Sequence, residues 1–227
     1  LLHATGEFAA RPQKRYDDTD LLVSEIIEEG FDSPRGCRAI ARMNALHGRF
    51  RIANGDFLYV LSTFVFEPIR WNERFGWRRM SESEKLAWFW FWRQVGERMQ
   101  IRDIPEAYDE FERYGRDYEA ANFRYTDSNQ RVALATRELF AGWFPALLRP
   151  LVRRGIHALL DPSLLAAFDL RPAPRWMVWT ANAALRARAR LLRCLPRRRR
   201  VQRRTQMPRA DYPAGYRIES LGPPPVD

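Results

Sequence analysis

The 227-residue chain carries 38 Lys and Arg against 28 Asp and Glu, a formal charge of +10, with 46% hydrophobic residues and eight tryptophans. That apolar and aromatic content excludes a disordered polymer. No run approaches the ~18 uninterrupted apolar residues that a bilayer-crossing helix needs.

Two cysteines, Cys37 and Cys194, lie far apart in unlike surroundings. They make neither a disulfide framework nor a zinc site, and the expectation is an intracellular, cytoplasmic protein. The chain opens in mid-pattern at Leu1 rather than at a methionine, which suggests a fragment whose upstream segment is missing.

The pattern is helical almost throughout. A first helix is predicted over Asp17–Glu29, with Leu21, Leu22, Val23, Ile26 and Ile27 as its apolar stripe and Gly30 ending it. Ser33-Pro34 starts a second, running to His47 or Gly48. Asn54-Gly55 reads as a turn and Asp56 as the cap of a third helix, expected to stop near Pro68. Its run Phe57–Phe66 is too short to span a membrane and reads as a buried helix.

Ser81 with Glu84 forms a capping box before "LAWFWFWRQVGERM", a helix apolar nearly all round at its start and expected in the centre of the domain. Ile104-Pro105 opens a helix to about Asn122, and Thr126 caps the next to about Trp143. Prolines punctuate the stretch to Phe168, "RPAPRW" reads as a linker, and a basic helix is predicted over Met177–Leu195. An arginine-rich tail follows, expected to be extended or disordered. The fold class is all-α, with a helical domain over residues 1–170 and a basic helix and tail over 171–227.

Cys37, Ile40, Ala41, Asn44 and His47 fall at helical spacings on one face of the second helix. His47 is then either a core histidine bonded to a carbonyl or an axial ligand to a metal, and spacing alone favours the first. On the preceding helix, Arg15, Thr19, Leu22 and Ile26 recur at i, i+4, i+7 and i+11. A guanidinium and a hydroxyl one turn apart beside apolar residues could bond dioxygen or a propionate, or could be a solvated helix start. His3 and His157 have no ligand-spaced partner. Phosphate-loop, HExxH, GxSxG and di-iron signatures are missing from the sequence, so any hard chemistry would belong to a cofactor. Arg42 reads as surface, and Trp88, Trp90 and Trp92 as core.

The segments "KRYDDTDLL", "RMNALHGRFRIANGDFLYVLSTFVFEPIRW", "FGWRRMSESEK", "FWRQVGERMQIRDIP" and "YPAGYRIESLGP" resemble the haem-b oxygenase family. That family includes the latex-clearing rubber oxygenases and the endoplasmic-reticulum-bound oxygenase of mycophenolic acid biosynthesis. The likeness to the second branch covers most of residues 1–222. Likeness to the first is limited to the arginine–threonine pair, the histidine and their separation.

The resemblance implies haem b as cofactor, with His47 as the proximal iron ligand and Arg15 and Thr19 as the distal R-x-x-x-T pair. It also implies that Arg51, one turn after the histidine, partners a haem propionate. Leu22, Ile26, Phe57 and Leu61 would form apolar walls. The implied reaction is oxidative cleavage of a carbon–carbon double bond in a lipophilic, isoprenoid-like substrate by dioxygen. Two departures stand out. Rubber oxygenases place a lysine just before the threonine, where this chain has Asp18, and their glutamate base lies upstream of the arginine, at a spacing that Glu7 does not match.

Residues 171–210 hold thirteen arginines and no acid, so the rest of the chain comes to −3. A basic amphipathic helix followed by "RRRRVQRR" suits peripheral contact with an anionic membrane surface. Nucleic acid is a weaker candidate, and a docked helix with a solvated basic face is the plain alternative. The competing function is therefore a non-enzymatic helical protein binding a membrane or nucleic acid through residues 171–210.

Overall fold

A computed structural model describes residues 5–196 and 201–223, and its regular structure there is helical, as the periodicities predict. His3 and Arg197–Arg200 lie outside the described residues. In chain order the helices are α1 (Glu7–Ala10), α2 (Pro12–Glu29), α3 (Pro34–His47), α4 (Asn54–Phe75) and α5 (Glu82–Arg98). They continue with α6 (Tyr108–Asn122), α7 (Asp127–Gly142), α8 (Arg149–His157), α9 (Pro162–Ala167) and α10 (Arg175–Cys194). Short 3-10 turns occupy Ala146–Leu148, Arg204–Gln206 and Ile218–Ser220.

The chain forms two compact units. One comprises Leu1–Arg15, Arg74–Arg78 and Glu119–Leu195; the other comprises Tyr16–Glu73, Arg79–Tyr118 and Pro196–Asp227. Helix α10 therefore belongs to the first, and the segment after it to the second.

The second unit holds the larger core, in which Leu21, Ile26, Val65, Phe89, Trp92, Val95 and Phe111 are almost fully buried. Its local signals act as their chemistry dictates. Ser33 Oγ accepts from the Gly36 amide at 2.9 Å, with Pro34 at the first helical position of α3. The α2–α3 turn is so tight that a Cβ on Gly36 would lie 1.9 Å from the Gly30 carbonyl oxygen. The Ser81–Glu84 capping box is complete.

Two expectations about α4 are corrected. Helix α4 does not stop at Pro68 but continues to Phe75. Proline lacks the N–H that would bond the carbonyl four residues back, which is Phe64. That carbonyl instead accepts from the Trp88 indole nitrogen of α5 at 3.1 Å, so the helix passes the proline with its acceptor satisfied. Nor does Asp56 cap α4. It sits in the first turn, where its carboxylate accepts a hydrogen bond from the Tyr118 hydroxyl. Burial, reinforced by that acidic partner, pushes the Tyr118 hydroxyl up to about 12.

Helix α5 is buried on one face rather than all round. Phe89, Trp92 and Val95 point into the core, whereas Leu86 and Trp90 are exposed. Trp88 is half-buried.

The first unit is smaller in core. Among the described residues its buried apolar side chains are Phe75, Leu139, Ala141, Ala158, Leu165, Ala167, Met177 and Ala189. His157, also buried, stands 2.9 Å through Nδ1 from the Arg171 carbonyl and 3.4 Å through Nε2 from an Arg137 nitrogen. A carbonyl can only accept, so Nδ1 carries the proton and Nε2 faces the guanidinium. That geometry gives His157 a structural role, tying α7 to the linker before α10.

Candidate functional site

Helix α3 buries Ala39 and Ile40, with Met43 and Leu46 packed against the same core. This stripe, rather than the one through Cys37 and Ala41, faces inward, since Cys37 and Ala41 are exposed. His47 stands at the border of the two, half-buried, in the last residue of the helix. Its Nδ1 atom is enclosed, and its ring meets Phe57 of α4 edge-on, with centroids 5.3 Å apart.

Helix α3 ends there, with the Gly48 amide closing back on the Asn44 carbonyl at 2.8 Å. Arg51 consequently does not continue the helical register. It lies exposed in the loop between α3 and α4.

Arg15 and Thr19 are both half-buried and one turn apart on α2. The Arg15 guanidinium lies over the Phe8 ring, 5.6 Å from its centroid. Of the expected apolar walls, Leu22, Ile26 and Leu61 are in the core and Phe57 packs against it. Glu7, which the sequence spacing set aside as a base, is buried and accepts from Arg11 at 2.6 Å.

The remaining sides of α2 carry acids, and these are engaged by the segment after α10, a strap over residues 203–223. Arg209 reaches Asp17 at 3.1 Å and also pairs with Asp20. Arg204 grips both Asp20 oxygens, at 2.8 and 2.9 Å. Tyr212 donates to Asp18 and Arg203 pairs with Glu29. Farther along, Glu25 accepts from Tyr216 at 2.6 Å and from Arg35 Nε at 2.8 Å.

Burial opposes ionisation of Glu25, but the Arg35 and Tyr216 hydrogen bonds and the Arg35 charge outweigh it. Its carboxyl is held below the ordinary value. At 100° per residue, Asp17 lies about 160° around the helix from Thr19, so the Arg209 contact is on the side away from the threonine. Asp18, where rubber oxygenases carry lysine, is buried against the strap.

The strap then closes over α3. Arg42, expected at the surface, donates from Nε to the Leu221 carbonyl at 2.7 Å. Gly222, at φ +94°, sits where a Cβ would be 2.7 Å from Leu46. The tail, expected to be extended or disordered, carries only short 3-10 turns in its described part, and that part is docked. The signal was present in the charge distribution, in the six acids of α2 between Asp17 and Glu29 set against the arginines beyond 200.

Among the described residues no cluster of three or more His, Cys, Asp or Glu side chains could hold a bare metal ion. Among them also, no helix is long and apolar enough to cross a membrane.

Residues 2–194 match the family model of the ER-bound oxygenase mpaB/B'/rubber oxygenase catalytic domain. The chain belongs to this family. The matched span contains Arg15, Thr19, His47 and Arg51, while the strap lies beyond it.

The chain is 29% identical over 196 residues to ER-bound oxygenase mpaB' of Penicillium brevicompactum, covering 78% of this chain and 46% of that protein. It is 32% identical over 139 residues to ER-bound oxygenase mpaB of the same fungus, covering 53% and 35%. Against ER-bound oxygenase mpaB of Penicillium roqueforti the identity is 34% over 108 residues, covering 44% and 36%. The chain thus spans less than half the length of these curated relatives.

Proposed function

We propose that this chain is the catalytic portion of a haem-b-dependent oxygenase that cleaves a carbon–carbon double bond in a lipophilic, isoprenoid-like substrate. Membership of an oxygenase catalytic-domain family carries the reading, because the matched span includes the whole arginine–threonine–histidine set.

The residues present fit the cofactor. A porphyrin brings its own four nitrogens, so one imidazole from the protein is a sufficient donor set. His47, enclosed at Nδ1 and braced by Phe57, is of that kind. Haem iron would supply the redox chemistry with dioxygen.

The side chains would do the rest. His47 would hold the iron and Arg15 and Thr19 would offer hydrogen bonds on the distal side. Arg51, in a loop free of helical constraint, would neutralise a propionate. Leu22, Ile26, Phe57 and Leu61 would exclude water.

The alternative in which residues 171–210 form a nucleic-acid-binding arm would draw on the arginines of α10 rather than on three that lie beyond it. Arg203, Arg204 and Arg209 are held in ion pairs with α2.

Titrating the purified chain with haem tests the proposal. Uptake with a Soret band that shifts or collapses in His47→Ala is the expected result. No uptake by the wild type, or an unchanged spectrum in the variant, overturns it. Oxygen consumption on adding an isoprenoid alkene then tests the substrate class.

A further inference from the structure

Protein surfaces ordinarily intersperse acids with bases; the stretch from Leu139 to Leu160 departs from that habit. It holds three arginines and no acid, with the next acid at Asp161. One of them, Arg153, pairs with Glu138 just before the stretch. Within it, Trp143, Phe144, Leu147, Leu148 and Leu151 are all exposed, Leu147 at 91%.

These are not the loose side chains of a frayed loop. The Phe144 amide bonds the Ala141 carbonyl at 3.1 Å and the Leu148 amide bonds the Pro145 carbonyl at 2.9 Å. Arg149 Nε donates to the Phe144 carbonyl at 3.2 Å. The Trp143 indole is fixed by Gln13 at 2.8 Å. The turn is therefore held in shape with its apolar tip outward, and its ordering cost is met before anything binds.

The same unit repeats the chemistry on α10, which packs against α8. There Trp176 and Trp179 are exposed, the latter at 72%, on a helix whose only charged residues are arginines.

We propose that residues 143–151 form a membrane-docking tip that inserts into an anionic lipid surface, with the tryptophans of α10 as a second anchor. Rigid aromatic and leucine side chains partition into the acyl boundary, and the surrounding excess of arginine over acid pairs with lipid phosphates and carboxylates. A water-facing turn gains nothing from this composition. A protein partner would be matched by mixed charge at the rim, which this stretch lacks. The proposal does not depend on haem or on His47.

The test is co-sedimentation of the full chain with vesicles of phosphatidylcholine plus phosphatidylserine, against phosphatidylcholine alone. Leu147 touches almost nothing in the fold, so Leu147→Glu leaves packing intact. Val201, 90% exposed in the other unit, supplies the control Val201→Glu. The expected result is binding that favours the anionic vesicles, weakens with salt, falls at least about tenfold in Leu147→Glu and is unchanged in Val201→Glu. No sedimentation of the wild type overturns the proposal, as does an equal loss in both variants. So does a wild-type dimer that Leu147→Glu converts to monomer without any vesicle binding, since the tip would then face a second copy.

Discussion

Replacing Arg209 by methionine keeps the aliphatic stem but removes the guanidinium that serves Asp17 and Asp20. Asp17 has a side chain only 2% exposed and Arg209 one only 13% exposed, so solvent cannot take over the lost partner. Breaking such a buried pair from one side costs about 3–5 kcal/mol. The lower end applies because Asp20 retains Arg204.

A loss of about 3 kcal/mol lowers the melting temperature of a chain this size by about 6–12 °C. Urea unfolding followed by circular dichroism measures it, as a lower midpoint with an unchanged slope. The decisive measurement is the double variant Arg209→Met with Asp17→Asn. Neutralising the stranded carboxylate should recover more than about 1 kcal/mol relative to additivity. Added salt should leave the coupling largely intact, because the pair is shielded from counterions. A single-variant loss under about 0.5 kcal/mol, or strict additivity in the pair, would refute the strap as an electrostatic partner of α2.

Trp88→Phe should cost about 1–3 kcal/mol by leaving the Phe64 carbonyl without its donor. Pro68→Ala, which restores a backbone N–H at the right place, should be more stabilising in that background than in the wild type; equal effects would sink the reasoning. Glu25→Gln should destabilise at neutral pH, and the gap should narrow in acid. The folded Glu25 carboxyl is depressed, so its contribution is complete above the ordinary value of about 4.3 and is lost as pH falls through the folded one. Chemical denaturation at a series of pH values reads this directly, and a gap that widens in acid contradicts it.

Helix starts were legible because they depend on neighbours in sequence. Ser33-Pro34, the Ser81–Glu84 box and Thr126 each bond an amide within three residues. Signals that depend on distant partners misled. Pro68 read as a stop because the indole that rescues Phe64 comes from α5. Asp56 read as a cap because Tyr118, 62 residues on, is what it bonds.

The same distinction applies to the site. The spacing of Arg15 and Thr19 and the position of His47 at a helix border were visible in periodicity. Arg51 falls in the loop because the helix closes at Gly48, the end that the sequence predicts. The strap escaped because a run of arginines with scattered prolines looks the same whether solvated or paired.

The strap also orders events in time. Asp17 and Arg209 are 192 residues apart, and Tyr216 meets Glu25 across 191. At a synthesis rate of about 5–20 residues per second, α2 leaves the ribosome roughly 10–40 s before its partners exist. Through that interval its buried-to-be acids must stay hydrated, and the hydrophobic face beside them cannot close without stranding charge. The second unit therefore completes its folding only after the strap has emerged. A premature stop codon shortly before Arg209 would release a molecule whose family-matched span is whole, yet whose α2 acids cannot all be neutralised.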